Sequence, residues 1–154
     1  MSFKPSLRWV FDLMRFLLCS LLLLGALRSA ASEGTLYLLV HPPREDIVVE
    51  EQYALELMQG ERRSFVGGLP ANVILPSRQA GEFDLVAQQV FSTSGAGMQR
   101  MWFQMVFSGR VNAPKYLNSN DEILNYIREH PGTVGIVVSE QAPAGVTGFR
   151  LEGP

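Results

Sequence analysis

Few side chains in this sequence could do chemistry, and most of them fall where a helix or strand would begin or end. Its two imidazoles are His41 and His130. His41 closes an apolar run, just before Pro42-Pro43, and a ligand or base role stays open for it. No Asp or Glu stands at a spacing that would orient it as a base. His130 ends a helical pattern, where an imidazolium meets the negative end of the dipole, an account simpler than catalysis. The carboxylate pairs Glu50-Glu51 and Asp121-Glu122 fall in first helical turns, where dipole stabilisation explains them. No H-E-x-x-H, G-x-S-x-G or phosphate-loop pattern occurs. This inventory predicts neither an enzyme nor a cofactor or metal centre.

Two segments carry groups suited to an anion. In Pro76-Ser77-Arg78-Gln79-Ala80-Gly81, a strand gives way to a helix start. Backbone amides, the Ser77 hydroxyl, the Arg78 guanidinium and Gln79 would together suit phosphate, sulfate or a carboxylate. The competing account is an ordinary turn with a solvated Arg78. The second segment is Ser92-Thr93-Ser94-Gly95-Ala96-Gly97, where Ser94 as a plain helix N-cap is the simpler reading. Neither pattern is specific alone. Ser77, Arg78 and Gln79 are the candidate ligand-binding residues.

The elements that would position them follow from periodicity. Leu36–Val40 is a short β-prone apolar run and reads as a buried strand. Ala54, Leu57 and Met58 fall at helical spacing, with Gly60 as the stop and no polar N-cap ahead. Asn72–Leu75, between Pro70 and Pro76, predicts a second strand. Phe83, Val86, Ala87, Val90 and Phe91 trace the inner face of a helix over 82–91. Met98, Met101, Trp102, Met105 and Val106 repeat that spacing in a third helix. Phe103 and Phe107 widen its apolar face, which makes it the most buried helix expected. Ser119 with Glu122 forms a capping box ahead of Ile123, Leu124 and Ile127. Val134–Val138, interrupted by Gly135, and Val146–Leu151 read as the last strands. Strands alternating with helices predict an α/β domain, a mixed sheet covered by helices.

The N-terminus reads as an export signal. Lys4, Arg8 and Arg15 precede the apolar stretch Phe16–Leu27, and Ser29, Ala30 and Ala31 offer a peptidase site. The stretch is short of the roughly 20 residues that span a bilayer. Cleavage is expected near Ala31–Ser32, giving a leader over 1–31 and one domain over 32–154. The alternative, an uncleaved inner-membrane anchor, would carry Asp12 and Arg15 into the bilayer core at a cost. Cys19 follows Phe16, Leu17 and Leu18, so it does not fit a lipobox. The leader holds four basic residues, one acidic residue and the only cysteine. The remainder has 9 basic and 14 acidic residues, a formal charge of −5. That excludes disulfides and thiol chemistry in the mature chain, and an acidic surface disfavours nucleic acid.

Several segments, taken in order, carry a family resemblance. They are LYLLVHPP, ALELMQGERRSF, NVILPSRQAGEFDLVAQQVF, MWFQMVFSGR, EILNYIREHPGTVGIVV and VTGFRLEG. Over roughly residues 35–153 the chain resembles the short, single-lobe relatives of the phosphate-binding proteins of ABC transporters, in the type 2 periplasmic binding-protein superfamily. The resemblance implies a fold like one lobe of such a protein, a periplasmic location and no catalysis. In that family, two lobes close on phosphate through helix N-terminal amides, hydroxyls and an arginine, with a loop like Arg-Ser-Asp-Gly-Ser-Gly-Thr. The matching loop here, Pro76 to Glu82, keeps Ser77 and Arg78 but has Gln79-Ala80-Gly81-Glu82 in place of Gly-Ser-Gly-Thr. Glu82 would repel phosphate, and a second lobe is not expected, so anion binding is expected to be weak or lost. Implied partners are a small anion such as phosphate, or a membrane transporter or sensor protein. The alternative function is an accessory interaction module of an envelope or sensory complex. Nucleic acid is not an expected partner, and the mature domain is not expected to be membrane-embedded.

Overall fold

A computed structural model describes residues 34–152. The expected export signal and cleavage site fall on residues outside those described. No helix among those described is long and apolar enough to cross a membrane.

The first strand, β1 (Thr35–His41), is apolar on both faces, and Leu36 through Val40 are all buried. A strand with two greasy faces needs cover on both sides and a neighbour on each edge. It obtains them in a five-stranded sheet. The later elements are α1 (Glu51–Met58), β2 (Asn72–Pro76), α2 (Phe83–Phe91), α3 (Gly95–Phe107), β3 (Lys115–Leu117), α4 (Asn120–Glu129), β4 (Thr133–Ser139) and β5 (Thr147–Leu151). The sheet order is β3-β2-β4-β1-β5. β2 runs parallel to β3 and β4, while β1 runs antiparallel to β4 and β5. The expected mixed α/β sheet covered by helices is therefore present.

The strand alternation divides the core in two. Leu36, Leu38, Val40, Val73, Leu75, Val134 and Ile136 face α1, α2 and α3. Tyr37, Leu39, Ile74 and Val137 face Ile123 and Ile127 of α4. On the α4 side the sheet needs a glycine. A Cβ on Gly135 would stand 2.7 Å from Ile127 Cδ1 and 3.2 Å from both Cβ and the carbonyl oxygen of Ile74. The glycine that interrupts the β4 pattern thus lets α4 approach the sheet.

The caps follow the sequence signals. Ser94 Oγ accepts the Gly97 N–H at the start of α3, and Ser119 Oγ accepts the Glu122 N–H at the start of α4. Glu50, at the N-cap of α1, makes no side-chain cap. One element was not anticipated and one expectation fails. β3 carries no strand signal, because it is a three-residue edge strand whose Lys115 and Tyr116 are exposed. α3 is not the most buried helix. It buries Gly95, Met98 and Trp102, whereas Phe103 and Phe107 are 61% and 75% exposed. The Met98–Trp102–Met105 stripe already faces the core, and the two phenylalanines fall on the opposite side of the helix. There they pack on each other, with ring centroids 4.1 Å apart.

Gly135→Ala is expected to destabilise the domain by about 1–3 kcal/mol, because neither Ile127 nor the β2 backbone can yield freely. Urea unfolding of the purified chain measures this, and a change under 0.5 kcal/mol would mean that α4 is not seated tightly on β4.

Candidate functional site

Adjacent parallel strands whose connections leave on opposite faces open a crevice at their carboxyl ends. β2 leads into α2 on one face of the sheet, and β3 leads into α4 on the other. Pro76 and Leu117 are partners at that end, and the Ser77 N–H continues the ladder with a 2.7 Å bond to Leu117 O. Ser77 and Asn118 therefore face each other across the switch point.

The loop after β2 is built from short turns. Ala80 N–H donates to Ser77 O at 3.0 Å, and Phe83 N–H to Ala80 O at 3.2 Å. The Ser77 hydroxyl is used twice. It accepts the Gln79 N–H at 3.2 Å and donates to Asn118 Oδ1 at 2.6 Å. Arg78 is exposed, and its Nε donates to Gln99 Oε1 of α3 at 2.7 Å. Gln79 is exposed and takes part through its backbone. The three sequence-predicted residues thus share one edge of the sheet, with Ser77 and Gln79 bonded directly and Arg78 tied to α3.

A second cluster sits beside them. Glu82 Oε1 accepts Asn120 Nδ2 at 2.9 Å. The same amide nitrogen donates to Val138 O at 3.1 Å, and Asn120 Oδ1 accepts Val138 N–H at 3.1 Å. β2 pairs with β4 only from Asn72↔Thr133 to Ile74↔Gly135. Asn120 thus supplies the hydrogen bonds that a longer β2 would have given Val138. Glu122 Oε2 accepts the Asn118 N–H at 2.9 Å and holds the loop between β3 and α4. Asn118, Asn120 and Gln99 had no place in the sequence-derived site. Their signal was the polar run Asn118-Ser119-Asn120-Asp121, whose use depends on which strand ends lie beside it. Nearby, partial desolvation of the Tyr116 side chain raises its phenol pKa above the ordinary value.

The histidines have structural partners. His41 Nδ1 donates to Ile127 O at 2.7 Å. His130 Nδ1 donates to Tyr126 O at 2.8 Å, and its ring stacks on Tyr126 with centroids 3.9 Å apart. Among the described residues, no group of three His, Cys, Asp or Glu side chains is placed to hold a metal ion. The edge offers hydroxyl, amide and guanidinium groups that bind and orient. It offers no paired base and nucleophile.

No family model matches the sequence, and no curated protein does either. Among solved structures, an ABC-type phosphate transport receptor from Vibrio cholerae is similar at 15% sequence identity and a TM-score of 0.44. The match covers 75% of this chain and 45% of that one, so the chain spans less than half of the receptor. A likeness this weak fixes neither family nor ligand. The fold class rests on the sheet and helices themselves.

Asn120→Ala would leave both backbone groups of Val138 and the Glu82 carboxylate without their partner. It is expected to cost about 1–3 kcal/mol. Thermal and urea unfolding check this, and wild-type stability in the variant would mean water replaces Asn120 at no cost.

Proposed function

We propose that the chain is an exported, non-catalytic recognition domain of solute-binding type, working in the periplasm. Its small-ligand edge comprises Ser77, Arg78 and Gln79, and its ligand class is a small oxyanion. One observation carries this reading: a hydroxyl, a backbone amide and a guanidinium gather at the carboxyl-end switch point of parallel strands. Binding there is weak for two physical reasons. The edge is open to water, and an anion must compete with Asn118 for the Ser77 hydroxyl and with Gln99 for Arg78. The Glu82 carboxylate at the α2 N-terminus repels a dianion while stabilising the empty helix end.

A second reading has its own observation. Ser77, Asn118, Asn120, Glu82 and Glu122 satisfy one another without any ligand. An edge so complete also suits an interaction module of an envelope or sensory complex, which holds a partner and captures no solute.

Titration calorimetry with phosphate, sulfate and small carboxylates separates the two. The first reading expects a dissociation constant on the order of 1 mM, with heat abolished in Arg78→Ala. Glu82→Gln keeps an acceptor for Asn120 but removes the charge, and should tighten phosphate binding roughly threefold to tenfold. Absent heat in the wild type, or equal heat with Arg78→Ala, sinks the solute reading. A defined membrane partner that co-purifies regardless of phosphate would then support the second.

A further inference from the structure

At the opposite end of the sheet, two helices finish in the same way. α1 passes through Gln59 to Gly60 at φ +74, and α3 passes through Ser108 to Gly109 at φ +72. Gly60 N–H donates to Leu57 O and Glu61 N–H to Glu56 O; Gly109 N–H donates to Val106 O and Arg110 N–H to Met105 O. Both are Schellman endings, in which glycine takes the left-handed conformation and the next amide turns back onto the helix. Each is followed by arginine: Arg62 and Arg63 after α1, and Arg110 after α3.

The two endings are held against each other. A Cβ on Gly60 would lie 2.8 Å from Met105 Cε and 3.3 Å from Trp102 Cη2, so α3 packs directly on the turn that ends α1. The segment after Arg63 is fixed as well. Tyr53 Oη donates to Ser64 O at 2.9 Å, Ser64 pairs with Pro70, and Ala71 N–H donates to Arg63 O at 3.0 Å. Phe65, buried to 2% exposure, anchors the turn from below.

Between these turns lies a cavity of about 450 Å³. Arg63, Ser64, Arg110 and Asn112 line it, along with Gly68 and Gly109, where a Cβ would meet nothing within 4 Å. No carboxylate lines it. Arg63, Ser64 and Arg110 also border the adjoining cavity, together with Arg62 and Glu61. Arg62 is already committed, paired with Glu56 and lying over the Tyr53 ring, and that pairing raises its pKa and lowers that of Glu56. Arg44 is paired with Asp46, Arg78 is bonded to Gln99, and Arg128 to Ala144 O. Among the described residues, Arg63 and Arg110 have neither an ion pair nor a side-chain hydrogen bond. In a mature chain of formal charge −5, two uncommitted guanidinium groups thus share one acid-free cavity.

We infer that this cavity is an anion site distinct from the Ser77–Arg78 edge, taking a phosphate group through Arg63 and Arg110 with Ser64 and Asn112 as further donors. Two guanidinium forks are the groups best matched to phosphate oxygens. The phosphate can be free in solution or carried on a lipid headgroup.

The test follows the arginine Nε signals of the purified chain by NMR during titration with inorganic phosphate. In parallel, the chain is sedimented with phosphatidylglycerol vesicles and with phosphatidylcholine vesicles. Shifts at Arg63 and Arg110 on phosphate addition support the site with a free anion as its source. Sedimentation with phosphatidylglycerol alone, without a phosphate response, supports it with a lipid headgroup as the source. In either case Arg63→Gln with Arg110→Gln should weaken binding at least tenfold, and Arg78→Ala should leave it intact. Silence in both arms, or undiminished binding by the double variant, overturns the inference. Both side chains are exposed, so the double variant should keep the wild-type melting temperature, which is measured alongside. Because Arg78→Ala reports on the other edge, failure of one site is distinguishable from failure of the other.

Discussion

The placement of β1 inside the sheet, antiparallel between β4 and β5, is the constraint on which the rest of this structure depends. Seven residue pairs join it to β4 and five join it to β5. Its alternating side chains belong to both cores at once, Leu36, Leu38 and Val40 on one side and Tyr37 and Leu39 on the other. A strand buried on both faces cannot be left uncovered, so α4 must close one face and α1 to α3 the other. The parallel set β3-β2-β4 is then completed by crossovers on opposite faces, and the switch point at Ser77 and Asn118 follows from that wiring. Gly135 belongs to the same constraint, since α4 can cover Leu39 and Ile74 only where β4 presents no side chain.

The chemistry at the carboxyl edge shows two demands in conflict. Helices starting at a switch point favour acidic residues in their first turns, and Asp84, Asp121 and Glu122 fill those positions. The same positive ends would draw an anion if they were bare. With Glu82 bonded to Asn120 and Glu122 bonded to the Asn118 amide, the helix ends and the loop stabilise each other internally. Stability gained in the empty state is affinity withheld from a ligand, because every one of those bonds competes with it.

How far the sequence revealed this depended on whether a feature was local. β1, the inner face of α2, and the Ser94 and Ser119 caps were legible because each is decided within about ten residues by periodicity or a capping hydroxyl. The short strand Lys115–Leu117 was not, since its pairing with Ile74–Pro76 is set by tertiary position and its own residues carry no alternation. Phe103 and Phe107 misled for a related reason. An apolar residue beside a core stripe looks buried until the neighbouring elements are known, and nothing described covers that side of α3. Ser77, Arg78 and Gln79 were located as a loop, but their hydrogen-bond partners Asn118 and Gln99 lie 41 and 21 residues away. Arg63 and Arg110 were not read as site residues in the sequence, because it is tertiary packing of Met105 and Trp102 on Gly60 that brings their helix endings together.

Net charge is a poor guide to where an anion would settle on this domain. At physiological ionic strength the screening length is about 8 Å, so an approaching phosphate senses the few charges nearest it more than the net charge of the whole chain. At the carboxyl edge those charges are mixed, with Arg78 and Glu82 on one loop and Asp84, Asp121 and Glu122 in the first turns of α2 and α4. At the opposite end, Pro70 leads into β2 and Asn112 precedes β3. There Arg62 is neutralised by Glu56, Glu61 lies in the adjoining cavity, and Arg63 and Arg110 follow helix C-termini, where the dipole stabilises cations. The sheet therefore separates two unlike electrostatic environments on one acidic chain. The helix endings that terminate α1 and α3 create the difference.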